Sequence, residues 1–113
     1  MRKLAFFTLI FLTCAAQADG KKLPLKIGEP FVAARAKLLK LGWKPELTHV
    51  NDEHEGVENT LIEHKYGEVQ SCAMDRAICI LQYKKKHGCL QLYTKNEEIR
   101  DLVIQGWNFK CGE

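Results

Sequence analysis

Most of the patterns that announce chemistry are missing from this 113-residue sequence. It has no G-x-S-x-G nucleophile turn, no glycine-rich phosphate loop, no H-E-x-x-H and no EF-hand spacing. Those absences remove the common routes to acyl transfer, nucleotide binding and divalent-metal chemistry. There is no C-x2-C element either, so neither a zinc knuckle nor a thioredoxin-like redox pair is written into the cysteine spacing. An excess of one charge sign is lacking too. The 17 basic side chains, less Arg2 and Lys3 of the leader described below, leave 15 against 14 acidic ones. A balance that close gives no overall pull towards nucleic acid or an anionic membrane surface. No apolar run is long enough to span a bilayer as a helix.

What is present begins with a leader. Arg2 and Lys3 precede the apolar stretch Leu4 to Leu12, and small residues end in Ala16-Gln17-Ala18. A basic start, a short apolar run and an Ala-x-Ala site predict a signal peptide over residues 1–18, with a single mature domain over 19–113. The rival reading is a lipoprotein acylated at Cys14, but Thr13 stands where such a site wants Gly, Ala or Ser. The expected location is therefore the periplasm or the exterior.

Removing the leader leaves four of the five cysteines: Cys72, Cys79, Cys89 and Cys111. An even count in a short exported chain reads as two disulfides. Three pairings are open, and Cys72 with Cys79 and Cys89 with Cys111 is favoured. The first closes a short loop and the second ties the C-terminal tail to the start of a strand. At about 2–4 kcal/mol each, such bridges are a large share of the stability of so small a domain.

The periodicity predicts one N-terminal helix over Phe31–Leu41. Its apolar arc is Phe31, Val32, Ala34, Leu38, Leu39 and Leu41, with Pro30 at its first position and Gly42 as its C-terminal stop. Arg35 falls inside that arc. A helix-edge arginine favours a stem that covers core with its head in water; the alternative is a buried pair with a carboxylate of the sheet. Leu23–Ile27 reads as an irregular lead-in or short edge strand, and Trp43 to Leu47 as a strand or an extended return onto the sheet.

His49 to Glu58 reads as a solvated acidic loop, with metal binding through its histidines and carboxylates as the functional alternative. Thr60–Tyr66 reads as a strand, Glu68–Asp75 as a loop carrying Cys72, and Arg76–Lys84 as a central strand with apolar residues on both faces. Lys84 to Gly88 is a hairpin connection, its lysines solvated, with Gly88 suited to a positive φ. Cys89–Lys95 pairs back with Leu90 and Leu92 inward. Ile99–Phe109 forms the last strand, Val103 and Trp107 on one face and Leu102 and Ile104 on the other. The expected fold is α+β: one helix on a three- to four-stranded antiparallel sheet with two disulfides.

Gly28-x-Pro30-Phe31, Leu38-Leu39-x-x-Gly42-Trp43-x-Pro45, Tyr66-Gly67-Glu68-Val69-x-x-Cys72, Cys79-x-x-x-Tyr83, Leu90-x-Leu92-x-Thr94 and Val103-x-x-x-Trp107 together resemble a family of short, signal-bearing proteobacterial periplasmic proteins without an established activity. The helix-on-sheet plan is similar, more distantly, to PASTA domains and to the beta-lactamase inhibitor protein. That resemblance implies a sheet used as a binding surface. The loop between the first two cysteines departs from the family's glycine-rich pattern, being Ala73 to Ile78.

These readings point to a non-enzymatic exported binding module, such as a periplasmic inhibitor or immunity protein, with an envelope or secreted protein as partner and no cofactor. The alternative is a structural or stress-related envelope protein without a single target. Tyr66, Glu68, Tyr83 and Tyr93 are the candidate binding residues, while Trp43 and Trp107 are expected in the core.

Overall fold

The structure, a computed structural model, describes residues 23–111. The proposed leader and Cys14 lie outside them. Two helices and five strands follow one another: α1 (Phe31–Lys40), β1 (Lys44–Pro45), α2 (Gly56–Glu63), β2 (Val69–Ala73), β3 (Ile78–Lys85), β4 (Gly88–Lys95) and β5 (Val103–Asn108). A 3-10 turn, Ile99–Asp101, precedes β5. The class is α+β, as expected, but one helix and three to four strands is an undercount.

The extra strand arises because two segments share one edge of β3. β2 pairs antiparallel with its first half, Cys72 opposite Cys79 and Val69 opposite Leu81. β1 pairs with its second half, Lys44 opposite Lys84 and Pro45 opposite Tyr83. The handover falls at Gln82, whose N–H donates to Glu68 O and whose carbonyl accepts from Glu46 N–H, both at 3.0 Å. The sheet is thus four positions wide, ordered (β1, β2)-β3-β4-β5.

Alternation along β3 sends Cys79, Leu81 and Tyr83 to one face, where all three are fully buried. Leu90, Leu92 and Ile104 extend that face, and Phe31, Ala34 and Leu38 of α1 and Leu61 of α2 complete the same core. Ile78, Ile80 and Gln82 point the other way and are half-buried. On α1 the buried stripe is narrower than expected: Val32, Leu39 and Leu41 are exposed.

Both helices end alike. At the end of α1, Trp43 N–H donates to Leu38 O at 3.0 Å and Gly42 N–H to Leu39 O at 3.1 Å. Gly42 takes φ +97° to make that geometry, which uses two of the last free carbonyls. At the end of α2, Tyr66 N–H donates to Leu61 O at 2.9 Å and Lys65 N–H to Ile62 O at 3.0 Å. There Lys65 occupies the left-handed position, at φ 71°.

Several expectations need correction. Leu23–Ile27 is the irregular lead-in rather than the alternative edge strand, with Leu25 buried. Thr60–Tyr66 belongs largely to α2, where Val57 and Leu61, four apart, face the core. The segment expected as a loop around Cys72 is a strand, because β3 supplies its hydrogen-bond partners. Pro30 stands one residue before α1, extended at ψ 137° and bridged to Val103. In the β3–β4 turn it is Lys86, not Gly88, that takes the positive φ, 48°. A register shift at Tyr93/Thr94 sets Trp107 opposite Leu92 and Ile104 opposite Thr94, so both lie on the inner face. That bulge defeats simple alternation, which would separate them.

Both favoured disulfides are present, Cys72–Cys79 with Cα atoms 4.0 Å apart and Cys89–Cys111 at 5.9 Å. The second closes past the end of β5, since the last pair there is Gln91 with Asn108. Trp43 is buried and Trp107 packs against the core.

The two caps generate opposite expectations. Lys65→Gly should gain about 1 kcal/mol by relieving a left-handed side-chain residue, and Gly42→Ala should lose a similar amount. Urea unfolding of the two variants checks this; a loss for both would show that Lys65 contributes a contact worth more than its backbone strain.

Candidate functional site

The inner face holds one charged residue that has no access to water. Glu68, just before β2, is fully buried. Its carboxylate accepts from Arg35 Nε at 2.5 Å and from Arg35 Nη2 at 3.2 Å. A third donor, the Tyr83 hydroxyl, reaches Oε2 at 2.6 Å. The two guanidinium N–H groups and the phenol therefore converge on one carboxyl group. The guanidinium of Arg35 also lies over the Tyr66 ring, 4.9 Å from its centroid, and that ring meets Phe31 edge-on at 5.2 Å. Arg35 is thus paired with a buried carboxylate beside the sheet, its own side chain 19% exposed, rather than holding its head free in water.

The local sequence explains the convergence. Arg35 sits one turn on from Phe31 and one residue past Ala34, at the margin of the buried stripe of α1. Tyr83 points inward by alternation, and Gln82 N–H bonded to Glu68 O places the two side chains beside each other. Burial drives the Tyr83 phenol well above 10, and the adjacent Glu68 charge pushes it further the same way. Burial disfavours the charge on Arg35, but the bonds to Glu68 outweigh it and raise its pKa. The cluster is a lock of charge-assisted hydrogen bonds. It holds α1 to the sheet rather than offering a proton to solvent.

Of the four candidate residues, Tyr66, Glu68 and Tyr83 are thus brought together, with Arg35 as the member that joins them. Tyr93 lies on the opposite face of the sheet. It stands between Ile80 of β3 and Gly106 of β5, and its ring passes 3.8 Å from where a side chain on Gly106 would start. Its hydroxyl donates to Gln91 Oε1 at 3.3 Å and accepts from Asn108 Nδ2. Gln91 Nε2 donates to Gln82 Oε1 at 3.0 Å, and Gln82 Nε2 to Glu46 Oε1 at 3.1 Å. A line of bonded polar side chains therefore crosses the outer face. Beside it run Ile80 and Tyr93 in one row and Ile78, Lys95 and Val103 in the next.

The acidic loop is more ordered than its composition suggests. The His54 side chain is only 5% exposed. Nδ1 meets Glu58 Oε1 at 3.0 Å and Nε2 meets His49 O at 2.5 Å. Two acceptors require two N–H groups, hence the imidazolium. The Glu58 hydrogen bond is the main cause of a pKa raised above 6.5, with the His49 carbonyl second. Glu58 Oε2 in turn accepts Cys72 N–H at 2.9 Å, linking α2 to β2. Neither ring nitrogen of His54 is left for a metal, and no group of three or more His, Cys, Asp or Glu among the described residues is placed to hold one.

No family model, curated protein or solved structure matches the chain.

A raised histidine pKa fixes a sign for the pH dependence. The stabilisation from charged His54 is fully present below its unfolded pKa of about 6.5 and is lost as pH rises through the higher folded value. Urea unfolding between about pH 5 and pH 9 should show that loss in the native protein and not in His54→Gln. Equal slopes in both would contradict the assignment.

Proposed function

We propose that the protein is a non-enzymatic exported binding module that docks on another envelope or secreted protein through the outer face of its sheet. Two disulfides in a small domain fit assembly in an oxidising compartment. One observation carries the reading: the bonded line Glu46, Gln82, Gln91, Tyr93 and Asn108 holds its side chains in place before any partner arrives. Ordering such side chains at an interface ordinarily costs about 0.5–1.5 kcal/mol apiece, and here much of that is met by the fold. The core lies on the other side, so Ile78, Ile80 and Val103 stay only partly buried beside that line.

The candidate surface shifts accordingly. Glu68 and Tyr83 are fully buried and serve it from behind, by fixing β3. Tyr93 becomes its central aromatic, the residue type most often decisive in an interface. No exposed aromatic borders the Cys72 loop among the described residues; its exposed apolar side chain is Met74, at 70%. Inhibition or immunity by contact is the form of action this surface suits.

Capture from periplasmic extract, with native protein and Tyr93→Arg compared, tests this. A retained protein whose binding weakens by at least about 2 kcal/mol in the variant is expected. Equal retention by both, or retention of nothing above background, contradicts the reading.

A further inference from the structure

The near-balance of charge conceals a cluster of lysines at one end of the sheet. The β3–β4 turn carries Lys84, Lys85 and Lys86, all exposed. Register brings Lys44 opposite Lys84, and a side chain on Gly42 would start 3.5 Å from Lys85 Cε, so the C-terminal end of α1 with Lys40 reaches the same tip. The Cys89–Cys111 disulfide draws Lys110 there as well. His87 sits in the turn itself. Among the described residues none of these six lysines forms an ion pair, whereas Lys37 pairs with Glu29, Arg76 with Asp75 and Arg100 with Glu98.

At the other end of the sheet the signs are mixed: Asp75 and Arg76 lie in the β2–β3 turn, and Lys95, Glu97, Glu98, Arg100 and Asp101 around the connection from β4 to β5. Among the described residues Glu46 lies two residues on from Lys44, and its carboxylate is bonded to Gln82. Six lysines outnumber it.

We infer that this tip binds the surface of an anionic phospholipid bilayer. Three features favour lipid over nucleic acid or an acidic protein. The cations are all lysine; the arginines Arg35, Arg76 and Arg100, whose forked donors read bases and bind carboxylates two-handed, lie elsewhere. Apolar side chains stand among them, Leu41 at 43% and Leu39 at 39% exposure in the last turn of α1, an arrangement suited to the headgroup boundary. The lysines also converge from four separate elements onto one end, which presents them together to a plane. Docked this way, the protein would rest on the bilayer by its tip and carry the mixed-charge end away from it.

Sedimentation with vesicles of phosphatidylglycerol and phosphatidylcholine, against vesicles of phosphatidylcholine alone, tests the inference on the exported protein with both disulfides intact. Binding that needs phosphatidylglycerol and is released by about 0.5 M salt is expected. Lys84→Gln, Lys85→Gln and Lys86→Gln together should weaken it on the order of 100-fold. Lys95→Gln with Arg100→Gln, at the other end, should change it by less than about twofold. Lys85 lies over Trp43, 5.5 Å from the ring centroid. Lys44→Gln with Lys110→Gln therefore provides a second variant that spares this contact, and should also weaken binding. No binding to phosphatidylglycerol vesicles, equal binding to pure phosphatidylcholine, tip variants that bind as the native protein does, or a preference for duplex DNA over vesicles would each overturn the inference.

Discussion

A carboxylate sealed from water is costly, by several kcal/mol even after the surroundings relax, unless the protein supplies donors for it. Glu68 has three, and they come from two different elements, Arg35 from α1 and Tyr83 from β3. Satisfying that one group therefore sets the seat of the helix on the sheet and the side on which Tyr83 points. An apolar contact would tolerate sliding by a residue or a rotation of α1; two hydrogen bonds from one guanidinium do not. The Arg35 head lying over Tyr66 adds a second constraint on the same helix.

Glu68 also sits where the chain changes role. Its carbonyl takes the N–H of Gln82, while the carbonyl of Gln82 takes the N–H of Glu46. That residue of β3 joins two strands separated in sequence by α2. An edge shared between two short strands offers fewer continuous hydrogen bonds than one long strand, so side-chain ties matter more there. Cys72–Cys79 fixes the far end of β2, and Glu58 bonded to Cys72 N–H ties α2 to the same point. At the opposite end Cys89–Cys111 holds the tail beyond β5. The outer face keeps its line of bonded side chains because the strands beneath are fixed in register.

The parts of the fold legible in the sequence are those where local signals agree with tertiary ones. α1 has an apolar stripe, a proline before it and Gly42 after it, and the helix forms, with a narrower buried stripe than the sequence suggests. β3 and β4 carry strong alternation and β-branched or aromatic residues, and the cysteine pairing follows from their order. α2 was obscured because its stop is Lys65, a residue without the signature of a left-handed cap, so Leu61 and Ile62 read as strand. β2 is polar and becomes a strand only because β3 pairs with it. Of the site, Tyr66, Glu68 and Tyr83 were picked out as separate residues. Their convergence depended on Arg35, whose position inside the apolar arc was the visible signal of a buried partner. Tyr93 could not be assigned to the other face without the strand register.

The central claim is that Arg35 and Glu68 act as one unit. A double-mutant cycle with Arg35→Met, Glu68→Leu and both changes together, followed by urea unfolding, tests it most directly. Arg35→Met strands the buried Glu68 charge and is expected to cost about 3–5 kcal/mol, Glu68→Leu less because Arg35 keeps some access to water, and the double change less than their sum by at least about 2 kcal/mol. Costs that simply add would contradict the account.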